Sequence, residues 1–274
     1  MRIDVLIENT SHDSLLCEHG LSFLIHYHDK MYLLDAGQSG NFIENAKSLN
    51  IDLNQVKQCI LSHGHYDHSD GYVRFLDVYP HHKVYAYKDI FEDYYSSSND
   101  SMHYIGLCDE LKKRKDHFHL IDKLTCIDEG VYVLPHQATC NTVNKNLYKK
   151  VNNAYIKDDF RHELSLIFVY KDELVVLNSC SHVGMMSIVE DIKKYFPSHS
   201  IKAYFGGLHM KGKENNQEIC VYSDEQIIQM SELIKKEKMN VYTGHCTGLI
   251  GYAKLSQFVS ENIHKLYSGM HVFF

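Results

Sequence analysis

The chain of 274 residues has no long apolar run. Nothing in it approaches the roughly 18 apolar residues of a membrane helix. Its opening Met1-Arg2-Ile3-Asp4 starts a strand pattern without the apolar core of a signal peptide. A cytoplasmic protein with no membrane contact is therefore expected. There are three prolines and no Gly/Ser-rich or Pro-rich stretch, so no linker is marked and a single domain is expected over 1–274. The eight cysteines, Cys17, Cys59, Cys108, Cys126, Cys140, Cys180, Cys220 and Cys246, include no Cys-x-x-Cys pair. Scattered thiols without a secretion signal argue against a disulfide framework, and most are expected to be reduced and buried. A long Lys/Arg block is also lacking, and the formal charge of −7 argues against a nucleic-acid groove. The short run Lys112-Lys113-Arg114-Lys115 reads as a solvated helix face. At 44% apolar residues, the chain can bury a large core.

What the chain does contain is Ser62-His63-Gly64-His65-Tyr66-Asp67-His68, directly after the apolar run Cys59-Ile60-Leu61. His63 and His65, at i and i+2 leaving a strand end, can grip one ion. Asp67 and His68, a turn further on, point towards a second. Neutral imidazole nitrogens bind Zn²⁺ at about 2.0 to 2.1 Å and carboxylate oxygens at about 2.0 to 2.2 Å, so this density of donors on one short loop points to metal. Gly64 permits the tight loop. The bland alternative is a solvated histidine-rich turn in a chain carrying 20 His.

Periodicity supplies a mixed α/β pattern. Arg2 to Glu8 alternates Ile3, Val5 and Ile7 with polar residues, and Leu21 to Leu34 reads as a hairpin with the same period of two. A helix over Phe42 to Leu49, a buried strand over Val56 to Leu61, a helix over His68 to Tyr79 and a strand over Lys83 to Tyr87 follow. From about 90 to 125 the pattern blurs, and a lid or insertion is expected there. Strands return at Gly130 to Leu134, Leu164 to Tyr170 and Glu173 to Asn178, the last two joined at Lys171-Asp172. A helix over Gly184 to Tyr195 and a strand over Ile201 to Phe205 lead to a helix from Ser223 to Lys238. Ser223 and Gln226 form a capping-box pattern, with Ile227, Ile228, Met230 and Leu233 as its core stripe. Asn240 to Tyr242 is a strand, Leu255 to Asn262 a helix, and His271 to Phe274 closes a sheet.

His-x-His-x-Asp-His after a hydrophobic strand resembles the metallo-β-lactamase superfamily, and almost the whole chain takes part in the resemblance. It implies an αββα four-layer sandwich. The Leu21 to Leu34 hairpin resembles the family's first hairpin, and Asp35-Ala36-Gly37 matches its Asp-x-Gly. By that likeness Asp35 buttresses the metal loop without ligating, against the simpler reading of a turn aspartate. His162, before a strand, sits much as the superfamily's third ligand does, although Glu163 beside it could ligate instead. After Leu174-Val175-Val176-Leu177-Asn178, relatives place an Asp that bridges both ions. Here Ser179-Cys180 stands there: Cys180 could bridge as a thiolate, or pack as a small residue while His182 reaches the metal. His245, in Thr243-Gly244-His245-Cys246-Thr247-Gly248, fits the last ligand, with a capping histidine as the alternative.

Cys180-Ser181-His182, Gly206-Gly207-Leu208-His209 and His245-Cys246-Thr247-Gly248 together look like the dihydropterin synthase branch of that superfamily. The likeness implies a metal-dependent condensation joining a pterin to a phosphorylated ribosyl-aminobenzene, with His209 at the substrate or supporting a ligand, or else a core histidine. Two divalent ions are implied, zinc favoured over manganese or iron. Water on such an ion has its pKa lowered towards about 7, and ions roughly 3.5 to 4 Å apart hold nucleophile and electrophile together. Asp67 would orient the resulting hydroxide. The expected substrate is a small molecule, phosphorylated or pterin-like, and both hydrolysis and condensation stay open. A homo-oligomer also stays open. A metal-containing sensor of a small ligand, without catalysis, is the alternative class.

Overall fold

Ile3, Val5 and Ile7 do face a core, but so does Leu6, and Asp4 is buried beside them with its carboxylate paired to Arg2 and His26. The strand Arg2–Ile7 is thus covered on both faces, which the simple in-out alternation did not indicate. The structure, a computed structural model, describes residues 1–12, 14–98, 101–136 and 146–274. Cys140, and Asn99 and Asp100 of the blurred segment, lie outside the described residues.

Packing divides the chain into two compact units. The first comprises Met1–Lys123, Asn144–Leu164 and Tyr267–Phe274. Its seven-stranded sheet runs in the order His271–Phe273, Arg2–Ile7, Ser22–Tyr27, Lys30–Leu34, Val56–Ile60, Val84–Tyr87, Phe118–Ile121. The early strands pair antiparallel and those from Lys30–Leu34 onward pair parallel. Parallel pairing needs crossovers, which the helices Asn41–Ser48 and Gly71–Val78 contribute to. Phe42, Ile43 and Ala46 of one and Tyr72, Phe75 and Leu76 of the other close on Leu6, Leu24, Leu33 and Leu61 in a continuous apolar core.

The second unit comprises Leu124–Val143 and Ser165–Leu266. Its seven-stranded sheet runs Ile263–Lys265, Asn240–Thr243, Ser200–Phe205, Glu173–Leu177, Leu164–Tyr170, Val131–Pro135, Thr125–Asp128. The first four are parallel neighbours, with helices Met185–Tyr195, Asp224–Glu237 and Gly248–Val259 between them in sequence. The expected hairpin at Lys171-Asp172 is present, both residues left-handed at φ +50° and +65°, as a tight turn between right-twisted strands requires. Mixed α/β architecture with several sheets is therefore the fold class.

Several expectations change. The segment 90–125, expected as a lid or insertion, carries regular strands. Asp93–Ser98 and Ser101–Tyr104 pair into a four-stranded sheet with Leu147–Val151 and Ala154–Lys157, whereas Phe118–Ile121 ends the first large sheet. The helix expected over His68 to Tyr79 is two, Tyr66–Ser69 and Gly71–Val78, divided at Asp70. The helix expected from Leu255 begins at Gly248. All seven described cysteines are free thiols, but only Cys59 and Cys180 are buried. Cys17 and Cys126 are exposed, the latter on the sheet-edge strand Thr125–Asp128.

The capping box at Ser223 and Gln226 is formed in both directions. The buried stripe of that helix is Ile227, Met230, Ser231 and Ile234, the i, i+3, i+4, i+7 set. Ile228 lies off it at 41% exposure. Ile234→Ala is accordingly expected to cost about 2–5 kcal/mol, and Ile228→Ala to stay within about 0.5 kcal/mol. Urea unfolding of both variants checks the register, which equal effects would reject.

Candidate functional site

In the first unit the histidine-rich loop follows strand Val56–Ile60 and is held by Asp35. That residue is fully buried in a left-handed conformation, φ +60°. One carboxylate oxygen accepts the Ser62 amide at 2.7 Å; the other accepts the Ser62 hydroxyl at 2.6 Å and His68 Nδ1 at 2.8 Å. Because the Ser62 proton goes to Asp35, the Ser62 oxygen accepts from His63 Nδ1, 2.8 Å away. Both rings therefore carry their proton on Nδ1 and keep the lone pair on Nε2, the tautomer a metal-binding imidazole needs when a carboxylate or hydroxyl supports it.

His63, His65, Asp67 and His68 are all buried. The His63 ring lies 4.6 Å from that of His65 and 4.3 Å from that of His68. Burial, reinforced by the neighbouring His162, pushes His65 down to about 3, so its imidazole stays neutral. Asp67 Oδ2 is 3.2 Å from Nε2 of His19, a residue that sequence reasoning did not single out. Gly64 is demanded by close approach, since a Cβ there would come within 2.6 Å of the Tyr94 ring.

His162, expected as a ligand, uses both ring nitrogens in hydrogen bonds. The Gly64 amide donates to its Nδ1 at 2.9 Å, so the proton sits on Nε2, 3.1 Å from Asp158 Oδ2. The Tyr94 ring covers it at 4.0 Å. Through these two hydrogen bonds His162 supports the loop backbone in this structure. Asp158 was missed because a lone Asp four residues before a His has no distinguishing pattern. Burial would raise its pKa, but His162 and the Phe160 amide hold it below the usual carboxylate range. Nevertheless, one donor atom each of His65, Asp158 and His162 lie within 4.8 Å of one another. Glu163, the alternative to His162, is fully buried.

In the second unit three loops follow parallel strands, the strand ends at which α/β sheets carry ligand sites. After Glu173–Leu177 come Cys180 and His182, both buried, with Ser181 between them at φ +54°. After Ser200–Phe205 comes His209 at φ +48°, its ring 4.3 Å from that of His182. After Asn240–Thr243 comes His245 at φ +47°. Left-handed backbone at non-glycine residues stores strain of order 1–3 kcal/mol and clusters at functional sites. Donor atoms of Cys180, His245 and Cys246 lie within 4.8 Å of one another. Cys246 was read only as a neighbour of His245. Burial opposes its ionisation, yet the thiol contact with Cys180 and the imidazoles of His209 and His245 bring it well below the ordinary thiol range.

A buried relay supports the Cys180 loop. Asp191 faces His136 Nδ1 at 3.4 Å, and Nε2 of that ring is 2.7 Å from the Ser165 hydroxyl. Burial would raise the Asp191 pKa, but His136 and Lys194 bring it down to about 2. With its proton given to His136, the Ser165 oxygen accepts from Asn178 Nδ2 at 3.1 Å, which turns the Asn178 carbonyl towards the Ser181 amide at 2.7 Å. The order resembles a nucleophilic triad, but Ser165 is wholly buried and holds structure instead. No spacing could have revealed these residues, because they come from different elements.

Residues 16–141 match the family model described as the metallo-beta-lactamase superfamily. The chain also shares its fold end to end with a solved structure of that superfamily. That solved structure is a metal-dependent hydrolase of the β-lactamase superfamily, 27% identical with TM-score 0.81, covering 100% of this chain and 99% of the other. The chain is also similar to the 7,8-dihydropterin-6-methyl-4-(beta-D-ribofuranosyl)-aminobenzene-5'-phosphate synthase of Methanocaldococcus jannaschii, 26% identical over 92% of this chain and 88% of the synthase. An uncharacterized protein of the same organism is 29% identical over 96% of this chain and 98% of its own length. The described residues contain His, Asp and Cys groups that could bind metal.

The relay makes a direct prediction. Ser165→Ala and Asn178→Ala should each destabilise by about 1–3 kcal/mol, since each leaves a buried polar partner unsatisfied. Their effects should couple by about 0.5–3 kcal/mol in a double-mutant cycle. Strict additivity in urea unfolding of the singles and the double would break the relay.

Proposed function

We propose that this protein is a metal-dependent enzyme using two divalent ions, zinc favoured. The residues proposed to hold them are His63, His65, Asp67, His68, Cys180, His182 and His245. The reading is carried by the orientation of His63 and His68: one buried carboxylate sets both tautomers with Nε2 deprotonated. The donor set fits such ions, being neutral imidazole, carboxylate and thiol in buried surroundings. Bound divalent ions supply Lewis acidity at neutral pH.

The chain's own residues do the rest. Asp35 fixes the direction of two imidazoles. Asp67 orients the attacking water and accepts its proton, while His19 Nε2 donates to the same carboxylate and holds it in place. His209, against the His182 ring, holds that ligand or meets the substrate. The proposed substrate is a small molecule, phosphorylated or pterin-like, which the likeness to the archaeal synthase supports. Hydrolysis is supported by the likeness to the metal-dependent hydrolase, condensation by that to the synthase.

Metal analysis of the purified chain should approach two ions per molecule, as paired-ion chemistry requires. His63→Ala and His245→Ala should each lower that content, whereas His162→Gln should lower it less, and Asp67→Ala should abolish turnover of phosphodiester, lactone or thioester substrates. A wild-type chain that retains no metal after dialysis against zinc would reject the proposal.

A further inference from the structure

We infer that Cys180 and Cys246 form a site of reversible oxidation, which a hydroperoxide closes to an intramolecular disulfide. Their sulfurs are 3.5 Å apart, and the Cys246 sulfur also lies 3.6 Å from the Cys180 carbonyl oxygen. A disulfide has an S–S length of about 2.05 Å, so closure brings the two sulfurs about 1.5 Å closer. Gly207 helps to set this proximity. A Cβ there would fall 2.3 Å from the Cys246 sulfur, so the missing side chain is what allows that sulfur to sit against the Cys180 loop.

As residues, Cys180 is 3% exposed and Cys246 is half-buried, and the first step is assigned to Cys246. Its sulfur attacks a peroxide oxygen: the O–O bond breaks, an S–O bond forms, and the other oxygen leaves as water, or as an alcohol from an organic hydroperoxide. The Cys180 sulfur then attacks the sulfenic sulfur, the S–O bond breaks, and hydroxide leaves with the thiol proton as water. Two electrons pass from the sulfurs to one peroxide, giving one disulfide.

The consequence rests on the reading of Cys180 as a metal ligand: the disulfide would withdraw that thiolate and lower metal retention until a thiol reductant restores it. Metal-stripped and zinc-loaded protein can be treated with hydrogen peroxide and digested for mass spectrometry. A peptide joining residues 180 and 246 is expected from the stripped protein, lost on dithiothreitol treatment, lost in Cys246→Ser and kept in Cys126→Ser. Zinc-loaded protein should cross-link more slowly. Absence of the 180–246 peptide from stripped wild-type protein overturns the inference. Equal rates with and without zinc would uphold the oxidation site and remove Cys180 from the ligand set, a result separable from any failure to bind metal.

Discussion

The carboxylate of Asp35 is the constraint on which the first unit's loop depends. It gathers three donors from Ser62 and His68, while its own carbonyl accepts the Ser22 hydroxyl at 2.8 Å and its amide donates to Ile60 at 2.9 Å. Left-handed backbone costs of order 1–3 kcal/mol at such a residue. Hydrogen bonds to a charged group return about 1.5–3 kcal/mol each, so three of them outweigh the strain. The same bonds decide chemistry as well as stability. They choose the tautomer of two imidazoles, one through the Ser62 hydroxyl, and so convert a buried charge into a direction for Nε2.

The second unit reaches a similar end by a different route. Its left-handed residues Ser181, His209 and His245 lie in loops joined by side-chain hydrogen bonds. The Ser181 hydroxyl meets Tyr204 and the Gly207 carbonyl; the Thr247 hydroxyl accepts the Leu208 amide and contacts Thr243. These bonds tie each loop to the next within the unit. A conformation that local propensity disfavours persists where several independent bonds fix it.

Much of this was legible and some was not, for identifiable reasons. Short-range signals read correctly: the Lys171-Asp172 turn and the Ser223 capping box both act within one or two turns of chain. The strands Asp93–Ser98 and Leu147–Val151 escaped because their residues are mostly half-buried, leaving no in-out alternation to find. The helix Gly248–Val259 was obscured by Gly248 and Gly251, which weaken any helical pattern. Ile228 misled because the apolar run Ile227-Ile228 does not say which member faces inward. Asp158, His136, Ser165 and Asn178 were invisible because their function is a pairing between distant segments.

His162 shows where sequence position stops being informative about a histidine. Placed before a strand, it has the address of a ligand, and its burial and neighbouring carboxylate are what a ligand would also have. The distinction lies in which atom carries the proton. At His68 a carboxylate takes the Nδ1 proton and leaves a lone pair on Nε2. At His162 a backbone amide occupies the Nδ1 lone pair, the proton moves to Nε2, and Asp158 accepts it. An imidazole in the second state spans from the Gly64 amide to Asp158 and so braces the loop that carries His63 and His65. Two residues of one type thus differ in tautomer through the identity of a single hydrogen-bond partner.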